Sequence, residues 1–399
     1  MKSKGFTDVR HDRGEQTVQT AGGEVFEFFL VVTPGLESIA AWELEQWLPG
    51  CEARVERGGL TLQLPLATGF SLNRKLKVPT RILIRLAEFP CREFPKLFRK
   101  VSTFPWEEWV QEPVEFSASS HRSRLRIKRG IEETCRDAFC ARFKKKGLAL
   151  KEPVDVEDAV CALVRFNEDL CTVSLDTSGK LLHKRGFKDF TTEAPIRETM
   201  AAAVLLLLEK TALELGLSFP VEFMDPMCGS GTFLIEGVNL ERSLHKRPFA
   251  FERFVKASEA EKEPEVRRRT PLFSSLIGFE ADSKASVVAE KNLSVLGHGV
   301  SVVTQDIFKA GELEPETRRW VATNPPYGER LKIRGPLAKY YEELFEAVER
   351  VVRPELAAFV LPLKVGPERL RVPRNWRVVT SVRFSNGGIP VAACVFHRR

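Results

Sequence analysis

Beyond Gly186, short apolar runs alternate with longer segments in which apolar residues recur every three or four positions. The short runs predict buried strands, and the longer segments predict helices. Alternation of this kind is typical of an α/β fold with a parallel, doubly wound sheet. Two further runs flank Asn386-Gly387-Gly388 and predict an antiparallel hairpin at the edge of that sheet. The predicted strands are residues 221–224, 276–280, 300–303, 320–323 and 357–361, followed by the hairpin at 378–384 and 391–396; helices are predicted at 195–215 and 336–352.

The chain before Gly186 lacks this alternation and has the pattern of an α+β region. An apolar run predicts a strand at residues 26–32, and helical spacing predicts a helix at 36–48. A second helix carries one apolar stripe, Ile131, Cys135, Phe139 and Phe143. The other strands predicted in this half are residues 60–64, 81–86, 114–118, 160–166 and 171–175.

The composition is that of a globular protein. Of the 399 residues, 43% are hydrophobic and 29% are charged, which excludes a disordered or collagen-like chain. No apolar run approaches the roughly 18 residues needed to cross a bilayer, and the polar N-terminus does not resemble a secretory signal. We therefore expect a cytoplasmic protein with no membrane partner. The eight cysteines and six histidines lack the spacing of a metal site, so we expect free thiols and no metal.

The net charge of +7 is concentrated in one segment. Between positions 121 and 146, ten basic residues outnumber three acidic ones, a surplus equal to that of the whole chain. Such a cluster indicates a polyanionic partner, although a solvated surface is the simpler alternative. Basic residues alternate with others over positions 122–128, which on an extended strand would place them on one face. The candidate contacts are Arg122, Arg124, Arg126, Lys128, Arg129, Lys144, Lys145 and Lys146.

A glycine-rich segment, residues 225–232, follows the first predicted strand of the parallel sheet and opens a helix. Gly229 and Gly231 allow close approach of the backbone to a ligand, and a helix N-terminus offers free N–H groups. A turn of this kind is typical of nucleotide binding. No Gly-Lys-Ser/Thr follows, so the segment is not a phosphate loop, and a ligand with a carboxylate is favoured over a triphosphate.

Acidic residues follow the next two predicted strands. Glu280 is placed to accept hydrogen bonds from ribose hydroxyls, whereas Asp282 is the better candidate for the N-cap of the next helix. Asp306 could accept from an adenine amino group, with Ile307 and Phe308 beside the ring. A helix N-cap is an equally good interpretation of Asp306, and the residues alone leave both open.

The tetrapeptide Asn-Pro-Pro-Tyr at residues 324–327 directly follows another predicted strand. Its two prolines hold a rigid, extended turn. The side-chain oxygen of Asn324 and the carbonyl of Pro325 can together accept both hydrogens of an exocyclic amine. Tyr327 offers a flat face on which a base can stack. The tetrapeptide therefore predicts a site for the amino group of a nucleic-acid base.

With these motifs, the chain resembles a known family. The C-terminal half is similar to class I, Rossmann-like S-adenosylmethionine-dependent methyltransferases that modify amino groups. Nearly the whole chain resembles the THUMP-domain RNA guanine-N2 methyltransferases, especially the bacterial branch that acts on large-subunit (23S) ribosomal RNA. The stretches that carry the resemblance are residues 33–37, 182–187, 193–199, 225–236 and 324–330.

The polar, glycine-containing start of the chain predicts a flexible tail at residues 1–24, which has no counterpart in the family. The resemblance, together with the patterns above, implies a ferredoxin-like α+β part at 25–69, a THUMP RNA-binding domain at 70–190 and a methyltransferase domain at 191–399. Some family members carry a second methyltransferase domain; because this sequence ends at Arg399, we expect no second activity. The residues implied in catalysis are Asn324, Pro325, Pro326 and Tyr327. Those implied at the cofactor are Pro195, Thr199, Asp225, Pro226, Cys228, Gly229, Gly231, Thr232, Glu280, Ala281, Asp306, Ile307 and Asn324.

The expected function is methyl transfer from S-adenosylmethionine to guanosine N2 in 23S ribosomal RNA, by a monomer. The same chemistry on transfer RNA, and a non-catalytic RNA-binding assembly factor, remain alternatives. An adenine-N6 DNA methyltransferase or a protein glutamine methyltransferase would use the same tetrapeptide but would not need a basic α+β domain before it. A cytosine-C5 enzyme needs a cysteine near the tetrapeptide, and Cys228 lies instead in the glycine-rich segment.

Overall fold

The computed structural model describes residues 19–20, 23–151, 159–187, 195–243, 247–257, 271–296, 299–329, 333 and 335–399. These residues form two seven-stranded sheets, one in each half of the chain, and a short two-stranded ribbon near the N-terminus. The predicted tail at residues 1–24 lies almost entirely outside the described residues, as do Glu193, Ala194 and Arg330 from the stretches that carry the family resemblance.

The N-terminal half builds one mixed sheet with four helices. Its elements are β1 (Gln19–Thr20), β2 (Gly23–Glu24), β3 (Phe26–Val31), α1 (Glu37–Trp47), β4 (Ala53–Glu56), β5 (Gly59–Leu64), α2 (Leu66–Lys75), β6 (Arg81–Pro90), α3 (Phe94–Thr103), β7 (Val114–His121), α4 (Lys128–Lys146), β8 (Val160–Asn167) and β9 (Leu170–Asp176). The sheet order is β4-β5-β3-β6-β9-β8-β7, and only the pair β7–β8 is parallel. One sheet therefore runs through both N-terminal parts that the sequence suggested.

The strands and helices predicted in this half are present, and the buried stripe of α4 is confirmed. Five elements, β1, β2, β4, α2 and α3, were not predicted, and the first two lie within the predicted tail. The hydrophobic pattern does not predict helix α2, because the helix buries the polar side chains of Ser71, Asn73 and Lys75 together with apolar ones. Its Gly69 is required by packing, since a Cβ there would lie 2.1 Å from the ring of Phe28.

Residues 122–128 do not continue the strand before them, so the alternating basic side chains do not lie on one face of a strand. Strand β7 ends at His121, because Arg122 adopts a left-handed conformation (φ 46°). The backbone then turns towards the β8–β9 connection, where the Asp169 carboxylate accepts from the Arg124 amide at 2.7 Å. Ser123 and Leu125 point inwards as expected, but Ile127 is 69% exposed.

The C-terminal half forms the predicted doubly wound sheet. Its elements are α5 (Glu198–Glu214), β10 (Val221–Asp225), α6 (Thr232–Asn239), β11 (Phe273–Glu280), α7 (Ser283–Leu293), β12 (Val300–Thr304), β13 (Arg319–Thr323), α8 (Leu337–Val351), β14 (Leu356–Pro362), β15 (Trp376–Asn386) and β16 (Ile389–Arg398). The order is β12-β11-β10-β13-β14-β16-β15. The first five of these strands are parallel, and β16 is antiparallel to both neighbours, so the α/β class and the terminal hairpin are confirmed.

The two halves share one continuous apolar core. Helix α5, whose residues 199–208 are all buried, contacts both α1 and β14. The sequence predicted that this helix starts at Pro195, and it begins three residues later, at Glu198. None of the helices in the described part of the chain is long and apolar enough to cross a membrane.

A turn in the N-terminal half also supports the C-terminal hairpin. Gly35 has φ +99°, and a Cβ there would lie 1.8 Å from the carbonyl oxygen of Arg383 in β15. The Glu37 carboxylate fixes this turn by accepting from the amides of Gly35 at 2.7 Å and Gly58 at 2.8 Å. Close contact between the two backbones therefore depends on glycine at position 35.

The first prediction compares two glycines of the same half. Gly50 has φ +77° but open space around its Cβ position, so Gly50→Ala should cost only the conformational term, about 1–2 kcal/mol. Gly35→Ala adds a steric clash with a backbone atom and should cost roughly 1–3 kcal/mol more. Thermal melting of both variants measures the difference, and equal losses would contradict the contact with Arg383.

Candidate active site

The four predicted motifs meet at one edge of the C-terminal sheet. Strand β10 has β11 on one side and β13 on the other, so the connections after these strands diverge and leave a crevice. The crevice is a cleft of about 840 Å³, within the range of small-molecule sites. Of the predicted residues, the following line it: Pro195, Asp225, Pro226, Cys228, Gly229, Thr232, Glu280, Ala281, Asp306, Ile307, Asn324, Pro325, Pro326 and Tyr327.

Thr199 and Gly231 are not in the lining. Thr199 is buried in the first turn of α5. Gly231 has φ +84°, and its Cβ position faces Leu293 in α7 rather than the cleft. Gly231 thus allows α6 to begin close to α7, which is a packing role.

The glycine-rich segment is held against β11. The Cys228 amide donates to the carbonyl of Phe279 at 2.9 Å. Gly278 permits this contact, because a Cβ on it would lie 2.8 Å from the Cys228 sulfur. Burial raises the pKa of the Cys228 thiol, followed by the repulsion of Asp225 and Glu280, so this thiol stays protonated. Cys228 therefore has the environment of a packing residue and not of a nucleophile.

Glu280 joins the ends of β10 and β11. One carboxylate oxygen accepts from the Gly229 amide and the other from the Asp282 amide, both at 2.9 Å. Asp282 in turn caps α7 by accepting from the amides of Lys284 at 2.7 Å and Ala285 at 3.1 Å, which lowers its pKa. The N-cap prediction for Asp282 is confirmed, and Glu280 is left facing the cleft.

Asp225 is only 2% exposed and carries no ionic partner among the contacts described. Its carboxylate accepts from the Met227 amide at 3.1 Å. Burial raises the pKa of Asp225 to about 7, and the nearby negative charge of Glu280 adds to the increase. A buried acid that titrates near neutrality at a cleft is a common feature of functional sites.

Asp306 caps a turn and not a helix. Its side chain accepts from the Phe308 amide at 3.0 Å, and no helix follows within the described residues 307–329. The helix N-cap interpretation is therefore wrong. Beside it, the rings of Phe308 and Tyr340 lie 5.6 Å apart, and Ile307 is buried beneath the cleft.

The Asn-Pro-Pro-Tyr turn is fixed by three hydroxyl and amide contacts. The Tyr327 hydroxyl donates to the side-chain oxygen of Asn324, and the Asn386 side chain donates to the Tyr327 hydroxyl at 3.0 Å. The Tyr341 hydroxyl donates to the Pro326 carbonyl at 2.8 Å. Burial raises the pKa of Tyr327 and keeps its phenol neutral.

The sequence did not single out the hairpin turn as part of this site. Asn386, Gly387 and Ile389 also line the cleft. The sequence predicted only a hairpin turn at Asn386 and Gly387. Asparagine and glycine are the usual residues of such a turn, so nothing in the sequence indicated a further role for Asn386. Tyr340 from α8 was missed for a similar reason, since an aromatic residue on a helix indicates core packing.

The basic residues form two separate groups. Arg122, Arg124, Arg126, Lys128 and Arg129 are exposed around the start of α4, and Lys144–Lys146 are exposed at its end. At 1.5 Å per residue, Lys128 and Lys146 are about 27 Å apart along the helix. Several side chains have local partners: Arg129 pairs with Glu133 at 2.7 Å, and Lys146 lies 3.6 Å from Glu107. No single patch therefore contains all eight candidates.

Residues 185–390 match the family described as "RMKL-like, methyltransferase domain", and the chain belongs to that family. The relative slr0064 of Synechocystis sp., provisionally named an RNA methyltransferase, is 25% identical over 384 residues, which cover 91% of this chain and 94% of the relative. The ribosomal RNA large subunit methyltransferase K/L of Syntrophotalea carbinolica is 28% identical over 346 residues. That match covers 80% of this chain and 47% of the relative, so the chain spans about half the length of the K/L protein.

Among solved structures, the chain resembles SMU.472, provisionally assigned as a methyltransferase and crystallised with SAH. The TM-score is 0.75 at 24% identity, over 94% of this chain and 98% of that one. This likeness supports the fold described above.

All eight cysteines are free thiols, as predicted. The described residues contain no group of three or more potential metal ligands.

The second prediction concerns Asp225. Because its folded pKa of about 7 exceeds the usual 3.8, the folded protein binds the extra proton between these values, and this group lowers stability as pH rises through them. Asp225→Asn mimics the protonated acid. It should therefore be more stable than the wild type at pH 8, by on the order of a few kcal/mol, and indistinguishable from it near pH 4.

Chemical denaturation across this pH range measures the effect. Asp282→Asn is the matched control, because the lowered pKa of Asp282 marks a charge that stabilises the fold above its usual pKa. It should not gain stability at pH 8. Equal behaviour of the two variants would contradict the raised pKa of Asp225.

Proposed function

We propose that this protein transfers a methyl group from S-adenosylmethionine to the N2 amine of a guanosine in large-subunit ribosomal RNA. The observation that carries the proposal is the meeting of four strand ends in one cleft, with Asn324 and the glycine-rich segment both in its lining. The names of slr0064 and of the K/L relative support an RNA substrate. The SAH in SMU.472, which is S-adenosylmethionine without its methyl group, supports the cofactor.

The chemistry of the cleft fits this cofactor. Its volume suits a nucleoside joined to an amino acid. Glu280 would accept from the ribose hydroxyls, since each carboxylate oxygen has two lone pairs and only one is used by the backbone amides. Asp306 and Ile307 would hold the adenine, and Asp225 with the 226–229 backbone would hold the methionine part. When bound, S-adenosylmethionine supplies a sulfonium-activated methyl group.

The task left to the protein is alignment of a weak nucleophile. The lone pair of an exocyclic guanine amine is delocalised into the ring, so it must be turned towards the methyl group. The Asn324 oxygen has one lone pair engaged by Tyr327 and a second available to the amine. With the Pro325 carbonyl it would accept both amine hydrogens, and these bonds strengthen as positive charge grows on nitrogen. Once methylated, the cationic amine is strongly acidic and releases its extra proton to water, so no strong general base is needed.

The base must leave its stack to enter the cleft. The half-buried ring of Tyr327 lines the cleft and offers a surface for the base, although its hydroxyl is held by Asn324 and Asn386. The exposed basic residues at the start of α4 would bind the flanking phosphates. Lys144–Lys146, at the opposite end of α4, would contact a different part of the RNA.

The third prediction tests the catalytic role of Asn324. Asn324→Ala removes the amine acceptor and should lower methyl transfer to RNA by about 10²–10³-fold, the usual effect of losing one preorganised hydrogen-bond partner. Binding of S-adenosylmethionine, measured by calorimetry, should change little. Loss of cofactor binding with normal turnover would show that the tetrapeptide belongs to the cofactor site instead. A wild-type protein that binds no cofactor would favour the non-catalytic assembly factor.

The fourth prediction tests the RNA surface with two triple variants. Replacing Arg122, Arg124 and Arg126 with glutamine should weaken RNA binding and reduce the log–log salt slope by roughly 0.7–0.9 per lost phosphate contact. The same change at Lys144–Lys146 is the comparison, because it removes equal charge about 27 Å away. Cofactor affinity and melting temperature should stay unchanged in both. Wild-type RNA affinity and salt slope in the arginine variant would overturn the proposal for this surface.

A further inference from the structure

A chain of two hydrogen bonds links the terminal hairpin to the proposed amine acceptor. The side-chain nitrogen of Asn386 donates to the Tyr327 hydroxyl at 3.0 Å, and the Tyr327 hydroxyl donates to the side-chain oxygen of Asn324. Asn386 is 59 positions from Tyr327 in the sequence and only 7% exposed. The contact therefore joins two distant segments in a largely water-excluded place.

The direction of these bonds follows from the donors that are present. A phenol has one proton. Because the amide nitrogen of Asn386 can only donate, it occupies a lone pair of the Tyr327 oxygen, and the phenol proton is directed to Asn324. The Asn324 amide is thereby held with its oxygen, and not its nitrogen, towards Tyr327. That orientation decides whether Asn324 presents an acceptor or a donor at the cleft.

The position of Asn386 is itself fixed on both sides. Asn386 pairs with Ile389 at the end of β15 and β16, across a two-residue turn in which Gly387 and Gly388 both have positive φ. Three residues earlier, the carbonyl of Arg383 lies against Gly35 of the N-terminal half. The asparagine thus sits on a paired strand end that both halves of the molecule support.

We propose that Asn386 is a positioning residue for methyl transfer, which acts through the Tyr327 hydroxyl to keep the Asn324 oxygen aimed as an acceptor. This inference rests on the proposed function, since it assigns Asn324 to the amine. It gives Tyr327 a second role besides contact with the base. It also makes the hairpin a fifth component of the site, in addition to the four strand-end motifs.

The hydrogen-bond direction can be tested without any activity. The chain has only three tyrosines, so a protein labelled with ¹³C at the tyrosine Cζ gives three signals, and Tyr327→Phe identifies one of them. Asn386→Asp keeps the shape but replaces the donor with an acceptor, which should turn the phenol proton away from Asn324. The Tyr327 signal should move more than the other two. An unchanged Tyr327 signal would overturn the inference.

The kinetic consequence is tested with purified protein and RNA. Asn386→Asp and Tyr327→Phe should each lower kcat about 10–100-fold, while KM for RNA and cofactor affinity stay within about twofold. The double variant should be no slower than Tyr327→Phe alone, because both changes break the same chain. Ser385→Asp, which places an equal charge on the exposed side of β15 one residue away, should keep wild-type kcat.

Two results would contradict the positioning role: losses that multiply in the double variant, or an Asn386→Asp variant as active as Ser385→Asp. Failure of the proposed function has a different signature. In that case the wild type itself would transfer no methyl group to RNA, and the tyrosine signals would still decide whether Asn386 directs the Tyr327 hydroxyl.

Discussion

The two halves of the molecule are joined by the guanidinium of Arg185, which is almost completely buried between them. It pairs with Glu236 of α6 at 2.9 Å and donates to the carbonyls of Lys77 at 2.8 Å and Leu182 at 3.1 Å. Removing one partner of such a buried pair typically costs about 3–5 kcal/mol, because the other charge is left uncompensated. Since α6 starts at the glycine-rich segment, this one side chain ties the N-terminal sheet to the wall of the cleft.

Arg185 and Gly35 hold the two halves of the molecule together at two places. Arg185 holds α6, which begins at the glycine-rich segment, and Gly35 supports the hairpin, whose turn also lines the cleft. A base bound by the N-terminal half would contact cleft walls that the same half supports.

Asp225 lowers the stability of the folded protein when it is ionised. Burial, together with the nearby carboxylate of Glu280, raises its pKa to about 7. The proposed contact of Asp225 with the cofactor, and not a contribution to folding, would account for an acid at this position.

The sequence predicted the C-terminal sheet and its four strand-end motifs well, because buried parallel strands are short apolar runs and because parallel strands end at the same edge. The N-cap role of Asp282 was also predictable, because a helix cap depends on residues that are neighbours in the sequence. Features that depend on contacts between distant segments were not predictable. The segment around Arg124 has the alternating pattern of a strand. Its backbone turns away instead, because the Arg124 amide donates a hydrogen bond to the carboxylate of Asp169, 45 positions away. Helix α2 was not predicted because it buries polar residues. Asn386 lies near Tyr327 because β16 runs antiparallel to β14, which brings the hairpin turn to the carboxyl edge of the parallel strands.

The account is tested most directly by following the methyl group itself. Purified protein is incubated with ribosomal RNA and S-adenosylmethionine carrying a deuterated methyl group, and the RNA is digested to nucleosides for mass spectrometry, with Asn324→Ala as the blank. We expect the label in N2-methylguanosine from ribosomal RNA, and none from the variant. Label in N6-methyladenosine, label only when transfer RNA is supplied, or no transfer by a protein that binds the cofactor would contradict the proposed reaction.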